Sequence, residues 1–109
     1  MDTELKDRLQ KWHTQIDAVA ESSRTYLGLE ASEKPLYSQL FLGAQGKSIA
    51  EREAHAYASD AWRDFSNGLV VAKTEFNRQM HMLELKKKAF DAAYLTAKLE
   101  NDGLKRPQS

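Results

Sequence analysis

The sequence has no cysteine and only two prolines and five glycines in 109 residues. The lack of cysteine excludes disulfides, thiolate nucleophiles and thiolate metal ligands, and it is compatible with a reducing compartment. The 16 basic and 16 acidic residues cancel, so net charge points to no class of partner. The longest strongly apolar run, residues 69–72, is far too short to cross a bilayer.

The first residues are acidic and then alternate in charge, without the basic and then apolar layout of a signal peptide. We therefore expect a cytoplasmic protein without a membrane segment. A chain of this length, in which 41% of residues are apolar, is expected to form one helical domain over residues 1–109 with a small core.

The second half contains an apolar row that repeats every seven residues. Its members are Trp62, Leu69, Phe76, Leu83, Phe90 and Ala97. Only a long α-helix gathers such a row on one side. The row passes Gly68 without a slip, which predicts one helix over residues 60–101. Gly103 then predicts its end and a tail over residues 103–109.

The first half predicts a shorter amphipathic helix over residues 2–27, ended by Gly28. Its apolar stripe is formed by Leu5, Leu9, Trp12, Ile16, Val19 and Tyr26. Residues 28–47 are expected to be a connector, in which Pro35 opens a short helix over residues 35–42.

Ser48-Ile49-Ala50-Glu51 has the form of a capping box and predicts a helix over residues 49–58. Ser59 followed by Asp60 predicts a break before the long helix, because serine caps a helix and aspartate suits its positive end. The fold class is therefore all-α. We predict an antiparallel helical hairpin with a long C-terminal coiled-coil-like helix and a short connector helix.

Helix lengths predict an oligomer. At 1.5 Å per residue, the long helix reaches roughly 63 Å and the first only roughly 39 Å, so the first cannot cover the last. We predict a homo-oligomer, with a dimer favoured, whose interface is the row Trp62, Leu69, Phe76, Leu83, Phe90 and Ala97. Gln79 and Lys86 each follow a member of this row by three residues, at the second core position of a coiled-coil heptad. Polar residues at that position fix register or partner choice at a cost in stability.

No motif for catalysis, metal binding or phosphate binding accompanies these helices. His55 has one carboxylate at helical spacing, Glu51, which is too few ligands for a metal. Gly46-Lys47-Ser48 is similar to the end of a phosphate loop but lacks the required first glycine and the preceding strand. We therefore expect no enzyme, no catalytic or metal residue and no cofactor.

Two other groups of residues are candidates for binding. Tyr37, Leu40, Phe41 and Phe65 are costly to leave in water, so with Trp62 they predict either core packing or a surface for a protein partner. Arg78, Lys86, Lys87, Lys88 and Lys98 form the basic cluster of the long helix. That cluster is either a solvated face or a contact for a nucleic-acid backbone.

Residues 47–59, KSIAEREAHAYAS, followed by Trp62 and a long charged helix, resemble small uncharacterised helical proteins of tailed bacteriophages and prophages. Members of that group have a variable first helix, a T/S-x-x-x-R-E-x-x-A-x-A-S segment and a long last helix, and they are often encoded near single-strand annealing recombinases. The resemblance covers roughly residues 47–100. It implies a non-enzymatic accessory protein that binds another protein in DNA recombination or replication, in the cytoplasm of the host.

Two alternatives stay open at this point. In one, the chain is a nonspecific nucleic-acid-binding dimer, with the basic residues lining a groove across the two copies. In the other, it is a structural coiled-coil adaptor. DNA binding at two salt concentrations separates the first alternative from the rest, because backbone contacts weaken steeply with salt.

Overall fold

The computed structural model describes residues 3–105, with side chains described as far as residue 103. Its elements are three helices: α1 (Thr3–Gly43), α2 (Ile49–Ala58) and α3 (Asp60–Lys105). No strand occurs in this described part. The prediction of an all-α fold is therefore confirmed.

The chain divides into two compact units, one running up to Glu21 and resuming at Asn77, the other formed by Ser22–Phe76. In the first unit the rings of Trp12 and Phe90 lie 5.4 Å apart, and Gln15 hydrogen-bonds to Gln79. Later residues of α1 therefore contact earlier residues of α3. This unit is an antiparallel helix pair.

The second unit has the same antiparallel arrangement and contains the chain reversal. The rings of Tyr26 and Phe76 lie 6.0 Å apart, and those of Tyr37 and Trp62 lie 5.9 Å apart. Between these helix segments, α2 forms the short connector helix. The predicted antiparallel helical hairpin is thus confirmed, although the connector helix is α2 alone.

The first helix does not end at residue 27, contrary to the prediction. α1 continues through Gly28 and Pro35 to Gly43, so the predicted short helix over residues 35–42 is part of α1. A glycine inside a helix costs about 1 kcal/mol, and an interior proline costs about 3 kcal/mol through one lost hydrogen bond and a clash. Packing of Tyr37 against Trp62 is available to offset these costs.

The length of α1 overturns the reason given for an oligomer. Its 41 residues reach roughly 62 Å and the 46 residues of α3 roughly 69 Å at 1.5 Å per residue. The two helices are therefore similar in length. The expectation that the first helix is too short to cover the last is wrong.

Helix α2 begins and ends where the sequence predicted. The Glu51 amide donates to the Ser48 side-chain oxygen at 3.2 Å, and the Glu51 carboxylate accepts from the Lys47 amide at 2.8 Å. Ser59 has an extended backbone between α2 and α3. Its hydroxyl oxygen accepts from the Trp62 amide at 3.2 Å, so it caps α3 as expected.

Helix α3 passes Gly68 without a break, as predicted, but it does not end at residue 101. It continues through Gly103 to Lys105. Among the described glycines, Gly46 alone has a positive φ, so Gly103 does not adopt the left-handed conformation that ends many helices. Residues 106–109 of the predicted tail lie outside the described residues.

The core is small, because α1 and α3 each bury one face and the short helix α2 adds a single buried residue, Ala56. Leu5, Ala56 and Ala72 are its buried apolar residues in the described chain. Gln15 is also buried, with 2% of its surface exposed, whereas its neighbour Ile16 is exposed. The expectation that Ile16 belongs to the apolar stripe of the first helix is therefore wrong.

Candidate partner-binding site

Five aromatic residues meet in the second unit. This aromatic cluster is formed by Tyr37 and Phe41 of α1, Tyr57 of α2, and Trp62 and Phe65 of α3. Four of them were singled out in the sequence, and the structure brings those four together. Leu40, also predicted for this surface, is half-buried on α1.

Local structure explains how the rings meet. Tyr37 and Phe41 are four residues apart on α1, and Trp62 and Phe65 are three apart on α3, so each pair shares a helix face. Their ring centroids are separated by 6.2 Å and 5.6 Å respectively. The capped turn at Ser59 brings Tyr57 to 5.4 Å from Trp62.

Three of the rings form an angled set. Tyr37 and Tyr57 are 5.0 Å apart with their planes tilted by 33°. The plane of Trp62 stands at 73° to Tyr37 and at 76° to Tyr57. Edge-to-face packing of this kind is favourable for aromatic rings, because the positive edge of one ring meets the negative face of another.

A groove of about 480 Å³ opens beside these rings. Its lining residues are Glu33, Lys34, Tyr37, Ser38, Tyr57 and Trp62. Burial, followed by the nearby Glu53 carboxylate and a hydrogen bond to Tyr57, raises the pKa of Tyr37 above its ordinary value of 10.0. The Tyr37 hydroxyl is therefore neutral at physiological pH, and the groove combines ring faces with the Glu33 carboxylate and the Lys34 amine.

Tyr57 and the two glutamates were missed by sequence analysis. Tyr57 and Glu53 lie in residues 49–58, where the prediction was a capped helix with no residue assigned to a partner surface. Glu33 lies in the predicted connector, where only apolar residues were assigned to that surface. The signal was present, because Tyr57 and Trp62 flank the predicted break at Ser59. A reversal at that serine brings residues on its two sides together.

The predicted oligomer row lies along α1. All six members are half-buried: Trp62, Leu69, Phe76, Leu83, Phe90 and Ala97. Each aromatic member has a ring partner on α1: Trp62 meets Tyr37, Phe76 meets Tyr26, and Phe90 meets Trp12. The aromatic members of the row therefore pack against the first helix of the same chain, and the six residues are called the seam row below.

The five basic residues do not share one face. Lys86 lies between the helices of the first unit and donates to the side-chain oxygen of Gln15 at 2.9 Å. Arg78, Lys87, Lys88 and Lys98 are exposed. Arg78 and Lys87 are nine residues apart, which places them on opposite sides of an α-helix. The predicted groove thus loses Lys86 and is not a single surface on α3.

Within residues 3–105, no group of three or more histidine, aspartate or glutamate side chains is arranged to hold a metal ion. None of the described helices has the length and apolarity needed to span a membrane. No family model, curated protein or solved structure matches the sequence.

Proposed function

We propose that this protein is a non-enzymatic accessory protein of phage-type DNA recombination or replication. It acts in the cytoplasm by binding another protein through the aromatic cluster. The observation that carries the proposal is the meeting of five rings from three helices beside an open groove. The resemblance of residues 47–100 to small phage proteins supports the role in recombination or replication.

The composition of the cluster favours a protein partner. Tryptophan and tyrosine are enriched among the residues that dominate binding energy at protein interfaces. Tyr57 contributes a ring with 55% of its surface exposed, held against Tyr37 and Trp62. Because these rings are already packed, a partner pays little conformational entropy to order them.

The groove also indicates the chemistry of the partner. Glu33 lines it, and Glu53 is close enough to raise the pKa of Tyr37. A cation placed over an aromatic face is attracted to the ring. The two carboxylates, Glu33 and Glu53, add to that attraction and outnumber the one amine beside the groove, that of Lys34. We propose that an arginine or lysine side chain of the partner enters this groove.

Direct nucleic-acid binding is less well supported by the geometry. Lys86 is engaged by Gln15 inside the first unit, and the exposed basic residues point in different directions around α3. The groove carries Glu33 and Lys34 together, so it is not a basic channel for a phosphate backbone.

We further propose that the protein forms a homodimer. A difference in helix length does not support a dimer, because α1 and α3 are similar in length. The dimer is supported by the large apolar side chains that are exposed on the outer side of α3 in the first unit, among them Leu85, Leu95 and Leu99. Exposed apolar surface of this kind is typical of protein interfaces.

The experiment that tests the function is affinity capture from host and phage-infected lysates with three forms of the chain: wild type, Tyr57→Ala and Tyr94→Ala. Tyr94 is a matched control, because it is 53% exposed and packs against one ring, Phe90. We expect the wild type and Tyr94→Ala to retain a recombination or replication protein that Tyr57→Ala loses.

Two outcomes contradict the proposal. If the wild type captures no recombination or replication protein, the assigned role is wrong and a structural adaptor becomes the better description. If Tyr57→Ala captures the same protein equally well, the aromatic cluster is not the binding surface. DNA binding by the purified chain at low salt, lost at high salt, would instead support the nucleic-acid alternative.

A further inference from the structure

Helix α3 carries a second periodic row in the first unit, on the side facing away from α1. This outer stripe is formed by Leu85, Lys88, Ala92, Leu95 and Leu99. Its positions 85, 92 and 99 each follow a member of the seam row by two residues. Two residues turn an α-helix by roughly 200°, so the outer stripe lies opposite the seam.

The outer stripe is exposed along its whole length. Leu85, Leu95 and Leu99 have between 53% and 62% of their surface accessible. Their spacing alternates between three and four residues, which is the spacing by which one helix packs against another. Apart from Lys88, helix α3 is therefore apolar on two opposite sides in the first unit, and α1 covers only one of them.

Charged residues along one edge of the stripe indicate what covers it. Asp91 and Lys98 are exposed, and each directly precedes a stripe member. They are seven residues apart and of opposite charge. If a second copy of α3 packs antiparallel across the stripe, Asp91 of each copy faces Lys98 of the other, which forms two ion pairs related by a two-fold axis.

The other edge of the stripe is built from small residues. Ala89, Ala93 and Thr96 lie along this edge. Together with Ala92 of the stripe, they line a groove of about 300 Å³ with Glu4 and Arg8 of α1. In the same antiparallel register, Leu95 of each copy packs onto Ala92 of the other, where the small side chain allows close approach. Parallel pairing would instead place Lys88 against Lys88 of the second copy.

We propose that two copies of this protein pair antiparallel through the outer stripe of α3, with Asp91 of each copy opposite Lys98 of the other. This inference rests on the proposed dimer and is independent of partner binding at the aromatic cluster. It assigns to the dimer an interface different from the row predicted by the sequence.

Charge reversal tests this interface. The mass in solution is measured by light scattering for wild type, Lys98→Asp, Asp91→Lys and the double variant. We expect the wild type to have twice the 12.4 kDa mass of one chain. The mass of each single variant should shift toward that of one chain, because like charges then face each other across the interface. The double variant restores both ion pairs, so its mass should return to that of the wild type.

Lys73→Asp is the matched control, because it makes the same charge change on an exposed residue of α3 that lies in the second unit, away from the stripe and its edges. It should keep the mass of the wild type. A wild type with the mass of one chain overturns both the dimer and its interface. A wild-type dimer that Lys98→Asp leaves unchanged, or that the double variant does not restore, overturns the interface alone. Neither result affects capture of a partner through Tyr57.

Discussion

The side-chain amide of Gln15 donates to both the backbone carbonyl and the side-chain oxygen of Gln79, at 2.8 Å and 2.7 Å. Lys86 donates in turn to the side-chain oxygen of Gln15 at 2.9 Å. This polar layer joins α1 to α3 in the first unit. A shift of one helix along the other would leave these groups without partners, so the layer fixes the register of the pair.

Replacing Gln15 with leucine should therefore destabilise the protein. The substitution removes the acceptor of Lys86 and the donor to Gln79, and leaving a buried polar group unpaired costs about 1–3 kcal/mol. The measurement is the free energy of unfolding in urea. Adding Lys86→Met should recover part of the loss, because the amine without an acceptor is then removed.

Gln10→Leu is the matched control for this substitution, since Gln10 is an exposed glutamine on the same helix. It should change the free energy of unfolding by no more than about 0.5 kcal/mol. Equal effects of Gln10→Leu and Gln15→Leu would show that the polar layer does not hold the two helices in register.

Alanine at two glycines should have effects of opposite sign. A Cβ at Gly46 would lie 2.8 Å from the Glu51 Cβ and 3.1 Å from the Arg52 backbone nitrogen, whereas a Cβ at Gly28 meets no atom within 4 Å. Gly46→Ala should destabilise by about 1–3 kcal/mol through overpacking. Gly28→Ala should stabilise by about 1 kcal/mol, because alanine is the better helix former.

Thermal unfolding, monitored by circular dichroism, measures both effects on stability. A loss of stability in Gly28→Ala would contradict a continuous α1, since it would show that this glycine ends a helix in the left-handed conformation. A neutral Gly46→Ala would contradict the close approach of Gly46 to α2.

Pro35→Ala tests the continuity of α1 independently. Because Pro35 lies inside the helix, alanine restores an amide hydrogen bond and removes a clash, which should stabilise by up to about 3 kcal/mol. If a separate helix began at Pro35, its amide would not be needed and alanine would bring little gain. The midpoint of urea unfolding distinguishes the two cases.

The raised pKa values of two tyrosines predict that the protein loses stability at alkaline pH. Burial and then Glu53 and Tyr57 raise the pKa of Tyr37, and a hydrogen bond to Glu30, then burial and the Glu30 charge, raise that of Tyr26. A raised phenol pKa means that folding favours the neutral form. The resulting stability is complete below the ordinary pKa of 10.0 and is lost as pH rises through the folded pKa.

Unfolding midpoints measured above pH 10 should therefore fall less steeply for Tyr37→Phe and for Tyr26→Phe than for the wild type. Each variant lacks one tyrosine hydroxyl whose ionisation favours the unfolded state, so its stability depends less on pH in this range. Slopes identical to that of the wild type in both variants would contradict this assignment.

Features set by local chemistry were predictable from the sequence. The start of α2 follows from Ser48 and Glu51, whose capping bonds lie within a few residues of each other, and its end follows from Ser59. The seam of α3 follows from a seven-residue repeat that continues through Gly68. In both cases the residues that carry the signal lie within one continuous stretch of the sequence.

Features set by contacts between distant residues were not predictable in this way. Gly28 and Pro35 favour a helix end locally, yet α1 continues through both and brings Tyr37 to Trp62. Gln15 displaces Ile16 from the seam because its amide has partners on Gln79 and Lys86, more than sixty residues away. Tyr57 joins the aromatic cluster only because the turn at Ser59 places it beside Trp62.

The central claim is that each chain covers its own seam row with its own first helix. Nuclear Overhauser effects between the Trp12 and Phe90 rings, and between the Tyr37 and Trp62 rings, test it most directly in a sample that mixes labelled and unlabelled chains. We predict that these effects occur within one chain and are absent from spectra filtered for contacts between chains. Their appearance between labelled and unlabelled chains would contradict the account.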